Sequence, residues 1–231
     1  MQALEATKRV LRSRTVTAAE LSFLLFSLVL HCGWITTVLY AFEQGGVAEA
    51  GIVSLVVVLP GAILAPLTSV WLDRFPARVA FAVVYMTQAI FFAVVAGVIS
   101  ADGPALIVYL GMTVASAVQM GIRPAMSSAL PRIVADPAEL AAANAVMGMI
   151  EMVGLVGGPL TAAALLGGGR LELPMVACAV GALTAVGVGS LVTPHKIGIE
   201  IDRQIEGPAA SAFGWIRGCM RAIASPPITT A

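Results

Sequence analysis

Long apolar runs alternate with short polar segments along most of the chain. Six of the runs have about the 20 residues that a helix needs to cross the hydrocarbon core of a bilayer. They are residues 21–41, 51–72, 79–100, 105–122, 145–166 and 174–192. Because hydrocarbon offers the backbone no hydrogen-bonding partner, each run is predicted to be a helix. The pattern therefore predicts an all-α, polytopic membrane protein with six transmembrane helices.

Polar segments divide the chain into three parts. Residues 1–20 are predicted to form a basic tail, and residues 21–192 to form the six-span bundle. Residues 193–231 form a polar loop that contains either an interfacial helix, with apolar positions at helical spacing, or an ordinary linker. Before the fifth span, Asp136 and Pro137 are typical of a helix cap and first turn. We therefore expect the fifth helix to begin outside the membrane.

Charge is scarce and placed on one side. Charged residues make up 11% of the chain, against about 25% in soluble proteins. This composition disfavours a soluble domain, a disordered chain and a nucleic-acid binder. Of the 13 lysines and arginines, only Arg170 falls on the side that holds the connections 42–50, 101–104 and 167–173. The positive-inside rule then places both termini in the cytoplasm, and we expect a multi-pass protein of the cell membrane.

Glu151 is the only charged side chain inside the six predicted spans. Gly158 lies seven residues later, on almost the same helix face, and Gly154 lies nearby on the wheel. A carboxyl beside small residues is expected to face a neighbouring helix or a cavity rather than lipid. We therefore predict that Glu151 binds and releases a proton.

His31 lies midway along the first predicted span, with Ser27 and Trp34 on the same side of the helix. An imidazole at this depth can pair with Glu151 or relay a proton. The alternative is a histidine that is hydrogen-bonded and serves packing alone. Weaker polar candidates are predicted to form hydrogen bonds between helices, and these are Gln88, Gln119, Thr36 and Thr37.

The sequence contains no motif typical of a metal site, a cofactor site or an enzyme active site. Cys32, Cys178 and Cys219 have no ligand-like spacing, and His31 and His195 form no cluster. We expect the cysteines to pack as small apolar residues, with no metal or cofactor bound. An intramembrane enzyme would need a nucleophile with its base, or several metal ligands, at one depth. The protein is therefore not expected to be an enzyme.

The second predicted span carries Gly61, Ala65 and Ser69 at intervals of four, which predicts a close helix contact. The loop after it contains an acid and two bases, namely Asp73, Arg74 and Arg78. These charges are expected to form a latch of contacts that break and form again. The alternative is a solvated turn, which explains the two arginines but not the aspartate.

This loop resembles the signature Gly-x-x-x-Asp-Arg-x-Gly-x-Arg of the major facilitator superfamily. Asp73, Arg74 and Arg78 match it, and Ser69 and Pro76 replace its two glycines.

The fifth span is similar to the antiporter signature Gly-x-x-x-Gly-Pro-x-x-Gly-Gly of the same superfamily. Gly154, Gly158 and Pro159 match, and Ala162 and Ala163 stand where the last glycines would be. The segment 40–46 also resembles a bacterial subgroup of exporters. Members of that subgroup often carry a cytosolic cyclic-nucleotide-binding domain.

The resemblance implies one six-helix bundle of the major facilitator fold. Family members have two such bundles, and substrate passes between them by alternating access. The family places the aspartate corresponding to Asp73 in a cytoplasmic latch, and the first and fifth helices at the central cavity. His31 and Glu151 would then face substrate. The chain is expected to stop near the entry to a seventh span, as a fragment, as one product of a split pair or as a half that homodimerises.

The function predicted from this resemblance is half of a secondary active transporter, an antiporter that exports small molecules in exchange for protons. Its expected partners are the lipid bilayer, a small-molecule substrate, protons and a second six-helix bundle, with no nucleic acid. The alternative is a non-transporting membrane subunit or the remnant of a truncated transporter gene.

Overall fold

The computed structural model describes residues 14–72, 75, 77–123, 134 and 136–191. Throughout this part of the chain the regular elements are helices, which confirms the all-α fold. They are α1 (Arg14–Leu72), α2 (Ala77–Ser100), α3 (Ala105–Gln119), α4 (Pro137–Leu165) and α5 (Glu172–Gly189), with a 3₁₀ turn at Leu166–Gly168 after α4. All of them belong to one compact unit, Met1–Pro194. The predicted interfacial helix lies outside the described residues.

Four of the helices, α1, α2, α4 and α5, are long and apolar enough to cross a bilayer. The third, α3, has 15 residues and is about 22 Å long, which is short of the roughly 30 Å of a hydrocarbon core. The start of α4 is as predicted, since the Asp136 side chain accepts a hydrogen bond from the Ala138 N–H at 2.9 Å. The described part of the chain therefore has four helices that could span a membrane, and it has five helices instead of the six predicted.

The difference in number arises in α1, which combines the first two predicted spans. Gly45 (φ −146°, ψ 18°) and Gly46 (φ 70°, ψ −157°) interrupt this helix of 59 residues. The conformation of Gly46 is one that only glycine adopts readily. The polar stretch 42–50 was predicted as a connection, yet most of its residues are helical. We call residues 14–44 the first arm of α1 and residues 47–72 the second arm.

The two arms run in opposite directions. Two neighbouring segments are parallel when their contacts follow the same order in sequence, and antiparallel when the order is reversed. The contacts are Glu49–Tyr109 and Gly61–Ser116 between the second arm and α3, Val95–Gly111 and Gln88–Gln119 between α2 and α3, and Ser22–Tyr85 and Gly33–Phe92 between the first arm and α2. By these contacts the second arm is parallel to α3, α3 is antiparallel to α2, and α2 is parallel to the first arm. The glycine pair therefore reverses the chain within α1.

The first arm of α1 has two main neighbours in the bundle. It packs against α4 and α5, whereas the second arm packs against α3, and α2 packs against α3 and α5. Aromatic side chains fill the core at one end, where the rings of Phe81 and Tyr85 stack with centroids 6.2 Å apart. We call this the basic end, because α1 begins there at Arg14 and Arg123 follows α3 there.

At the end of the bundle opposite the basic end, side chains form hydrogen bonds, ion pairs and ring contacts. Tyr109 of α3 donates a hydrogen bond to Glu49 of α1 at 2.6 Å, and its ring contacts that of Tyr40 edge-on at 6.1 Å. Arg170, the lone basic residue predicted on this side, pairs with Glu172 at 2.6 Å. The Tyr109–Glu49 hydrogen bond holds the first turns of α3 next to the chain reversal within α1.

Candidate functional site

The first arm of α1 and α4 meet along a line of small residues, which we call the α1–α4 seam. On α4 the seam consists of Gly154, Gly158 and Ala162, all buried and spaced four apart. A Cβ atom on Gly154 would overlap the Oγ atom of Ser27, and one on Gly158 would lie 2.7 Å from the Cys32 nitrogen. No side chain fits at these separations, so the two backbones pack directly against each other.

Pro159 follows Gly158 inside α4 and is partly buried. A proline at this point removes one backbone N–H from the helix, and membrane helices tolerate the loss where a neighbouring helix packs closely. The matched part of the antiporter-like signature therefore lies at the closest approach of two helices.

Glu151 lies one turn before Gly154 and forms an ion pair with Arg123. The Arg123 Nη2 atom is 3.1 Å from the Glu151 Oε2 atom, and the two side chains are 65% and 22% exposed. Because Arg123 follows α3 at the basic end, Glu151 lies toward that end of the seam. No lysine or arginine falls inside the predicted spans, so the sequence indicates no partner for Glu151 there. Its partner, Arg123, directly follows the predicted span 105–122.

His31 lies deeper in the seam than Glu151. Its Nδ1 atom is 2.8 Å from the Ser27 carbonyl oxygen, and its Cβ atom lies against Gly158. Gly158 is seven residues beyond Glu151, or about 10 Å along the helix axis. The structure therefore places Glu151 and His31 on one seam, two turns apart. They do not pair with each other, because Glu151 pairs with Arg123 and His31 with the Ser27 carbonyl.

Glu20 is a buried acid that the sequence-based prediction missed. The first span was predicted to begin at residue 21, but α1 begins at Arg14, and Glu20 is only 4% exposed. Glu20 precedes Ser27 by seven residues, so it lies on nearly the same face of α1, toward α4. Within the described part of the chain neither carboxyl oxygen has a hydrogen-bonding partner. The seven-residue spacing from Ser27 is the signal that could have revealed it.

The weaker polar candidates divide into two groups. Gln88 Nε2 donates to Gln119 Oε1 at 2.8 Å, which confirms a predicted hydrogen bond between helices. Thr36 and Thr37 donate instead to carbonyl oxygens of their own helix, each at 2.7 Å. The prediction for the threonines was wrong, because a buried hydroxyl can reach the carbonyl four residues earlier without help from a neighbour.

Most of the predicted latch falls outside what the structure describes. Asp73 and Arg74 lie outside the described residues, and the side chains of Arg78 and Ser69 are not described either.

The described part of the small-residue motif on the second arm lies beside α3. A Cβ atom on Gly61 would lie 3.2 Å from the Ser116 carbonyl oxygen, and Ala65, which follows one turn later, is partly buried. The second arm therefore approaches α3 closely at Gly61.

Three other features of the described residues bear on ligand binding, namely acid, histidine and cysteine clusters, the buried cysteines, and a groove along α2. No group of three or more His, Cys, Asp or Glu side chains within the described ranges could hold a metal ion. Cys32 and Cys178 are buried in the α1–α5 core. An open groove of about 660 Å³ runs along α2, with Val83, Met86 and Ile90 in its wall. Its walls are mostly apolar and include neither Glu151 nor His31, so the polar residues of the seam are the better candidate site.

The Arg123–Glu151 pair is expected to show a measurable but small coupling. In a double-mutant cycle of Arg123→Gln and Glu151→Gln, we expect a coupling energy of about 0.2–1 kcal/mol, since an exposed partner is screened by water. Thermal unfolding in detergent measures it, and high salt should reduce it. Additive single effects at low salt would contradict a stabilising role for the pair.

The charged and polar residues of the first arm and α4 thus define the candidate site by geometry alone. No family model matches the chain, and no curated protein or solved structure matches it.

Proposed function

We propose that this bundle is half of a secondary active transporter, a proton-coupled exporter of small molecules that works by alternating access. The two arms of α1 and the four further helices form six spans in this proposal, in the arrangement of the major facilitator fold. Both termini are cytoplasmic, which places the basic end at the inner face of the cell membrane. A second six-helix bundle, either a split partner or a second copy, completes the transport path.

The observation that carries the proposal is a symmetry in the packing. Taken in chain order, the first arm, the second arm and α2 form one triple, and α3, α4 and α5 form another. Exchanging the triples turns the first arm–α4 contact into the second arm–α3 contact, and the first arm–α5 contact into the α2–α3 contact. The α2–α5 contact maps onto itself. Triples of alternating helices cross a membrane in opposite senses, as do the inverted repeats of secondary transporters.

The chemistry of the seam supports proton coupling. Acids within membrane helices commonly mark ion pathways and proton relays. Glu151, midway along α4, is paired with Arg123, which follows α3, so protonation of Glu151 removes the attraction between α4 and the segment after α3. Proton binding is thereby linked to a contact between helices, which is the link that alternating access requires.

A transport assay tests the proposal. The chain is reconstituted in vesicles alone and together with a second six-helix product encoded beside it, and a pH gradient drives export of a panel of fluorescent amphiphilic dyes. We expect flux that needs both the gradient and a complete pair of bundles. Silence in both preparations would favour the alternative, a non-transporting subunit or a remnant of a transporter gene.

Glu151 has its own prediction in this assay. Glu151→Gln is expected to abolish proton-driven flux, because a glutamine cannot take up or release a proton. Glu172→Gln is the matched control, since Glu172 pairs with Arg170 at the opposite end of the bundle. Flux that is the same in the Glu151→Gln variant and in the parent would show that Glu151 is not the coupling carboxyl.

A further inference from the structure

Glu20 is the most deeply buried acid in the described part of the chain, and its neighbours one turn away on its own helix are apolar apart from Thr17. Its residue is 4% exposed, and neither carboxyl oxygen has a hydrogen-bonding partner in the described ranges. One turn to either side on the same helix lie Val16 and Phe23, which are both buried. These side chains belong to one core cluster with Ala143 and Met147 of α4.

Among the side chains that the structure describes, the ionisable groups on neighbouring elements add no compensating charge; the side chain of Arg78, at the start of α2, lies outside that description. On α4 these groups are two further acids, Glu139 one turn before Ala143 and Glu151 one turn after Met147. Beyond α3, the Arg123 guanidinium pairs with Glu151.

The described residues of α2, α5 and α1 also provide no positive charge that would stabilise a carboxylate at Glu20. On α2, Tyr85 lies beside Ser22, which is about 200° around α1 from Glu20. On α5, residues 173–191 contain no lysine, arginine, histidine, aspartate or glutamate, and the thiol of Cys178 offers no positive charge. On α1 itself Arg14 is six residues away, and the favourable field of the helix N-terminus is confined to about its first turn.

We propose that Glu20 is a proton-binding site and that the bundle holds its side chain as a neutral carboxylic acid. A buried carboxylate without a partner is strongly disfavoured. The ligand is a proton, taken up from water at one carboxyl oxygen to form a C(O)OH group. Sodium or another metal ion would need several oxygen ligands around it, and a single carboxylate is a poor site for one.

Release of this proton requires a change at the seam. A carboxylate at Glu20 becomes tolerable only when water or a cation reaches it, which requires α1 and α4 to separate at this level. Opening of the seam and loss of the proton are therefore coupled. The use of this coupling in transport rests on the proposed function, whereas the protonation of Glu20 does not.

Infrared spectroscopy of the full-length chain in lipid nanodiscs tests the proposal without any transport. At neutral pH the wild type should show a carbonyl stretch of a protonated carboxylic acid, and alkaline titration should remove it. Glu20→Gln should abolish this band, and Glu172→Gln, a control at the opposite end of the bundle, should leave it in place. Because glutamine mimics the neutral acid in size and shape, the Glu20→Gln variant should keep Cys32 and Cys178 unreactive toward maleimide.

Either of two results would overturn the proposal. One is a wild-type chain without a carboxylic acid band at neutral pH, a measurement that needs no variant. The other is a band that persists in folded Glu20→Gln protein. A band that behaves as expected in a chain that supports no flux, alone or with a second bundle, would overturn the transport function and leave the protonation site standing.

Discussion

Alanine at Gly158 is expected to destabilise the bundle by about 1–3 kcal/mol through overpacking, whereas alanine at Gly148 is expected to stabilise it by up to about 1 kcal/mol. Both glycines lie on α4, and both substitutions bring the same gain in helix propensity. The difference is what the new methyl group meets. At Gly158 it would lie 2.7 Å from the Cys32 nitrogen, and at Gly148 nothing lies within 4 Å.

Whether alanine at Gly158 stabilises or destabilises the bundle depends on which atoms the added Cβ atom would meet. At Gly157 an added Cβ would lie 2.8 Å from the end of the Leu28 side chain, which can rotate away. At Gly158 the obstacles include backbone atoms of Cys32 and His31, so relief requires the helices to move apart. Such movement would loosen the rest of the seam, including the contact between Ser27 and Gly154. We expect Gly157→Ala to fall between the other two variants.

The two buried cysteines supply the measurement. In a Cys219→Ser background, a fluorogenic maleimide reports exposure of Cys32 and Cys178 as the protein is heated in detergent. Gly158→Ala should raise the reaction rate at low temperature, since Cys32 lies on α1 where it meets Gly158. Equal melting of the Gly158→Ala and Gly148→Ala variants would show that α1 and α4 do not pack through this glycine.

The fold was largely predictable because most of it follows from solvation. Apolar runs of the right length had to become helices, and Asp136 with Pro137 marked the start of α4. The connection at 42–50 was less accessible to this reasoning. Helices extend into the water-exposed zone at little cost, so the polar residues Glu43 and Gln44 do not show whether the chain forms a loop or a continued helix.

Features of the candidate site that follow from the spacing of residues along one helix could be predicted from the sequence. Features that depend on how two helices are placed against each other could not. The glycine spacing on α4 indicated a close contact, but the partner surface at Ser27 and His31 depends on how α1 is placed. The ion pair joins residues 28 positions apart in sequence, Arg123 just after α3 and Glu151 midway along α4. Glu20 was missed because hydropathy sets a span boundary at the first charged residue, even where tertiary packing buries that residue.

Valine at Gly46 is expected to destabilise the bundle by about 1–3 kcal/mol, because its backbone conformation is open almost only to glycine. Gly46 has φ 70° and ψ −157°, and a β-branched side chain is the least compatible with such angles. A relaxed backbone at this point would straighten α1, and an unbroken helix of 59 residues would be about 88 Å long. The second arm would then leave α3, so the loss extends beyond the reversal.

A nearby hydrogen bond shows whether the reversal itself is lost. Tyr109→Phe removes the donor to Glu49, which lies three residues after Gly46. We expect this change to destabilise the parent by about 0.5–1.5 kcal/mol, and to have little effect in the Gly46→Val background, where Glu49 is already displaced.

Gly51→Val is the matched control on the same arm. A Cβ atom added there meets nothing within 4 Å, and the position has no unusual backbone angle, so the expected change is within about 0.5 kcal/mol. If the Tyr109→Phe effect were the same with glycine or valine at position 46, the orientation of the second arm would not depend on this glycine. The reversal would then be held by the packing of the second arm on α3, through contacts such as that of Gly61 with Ser116.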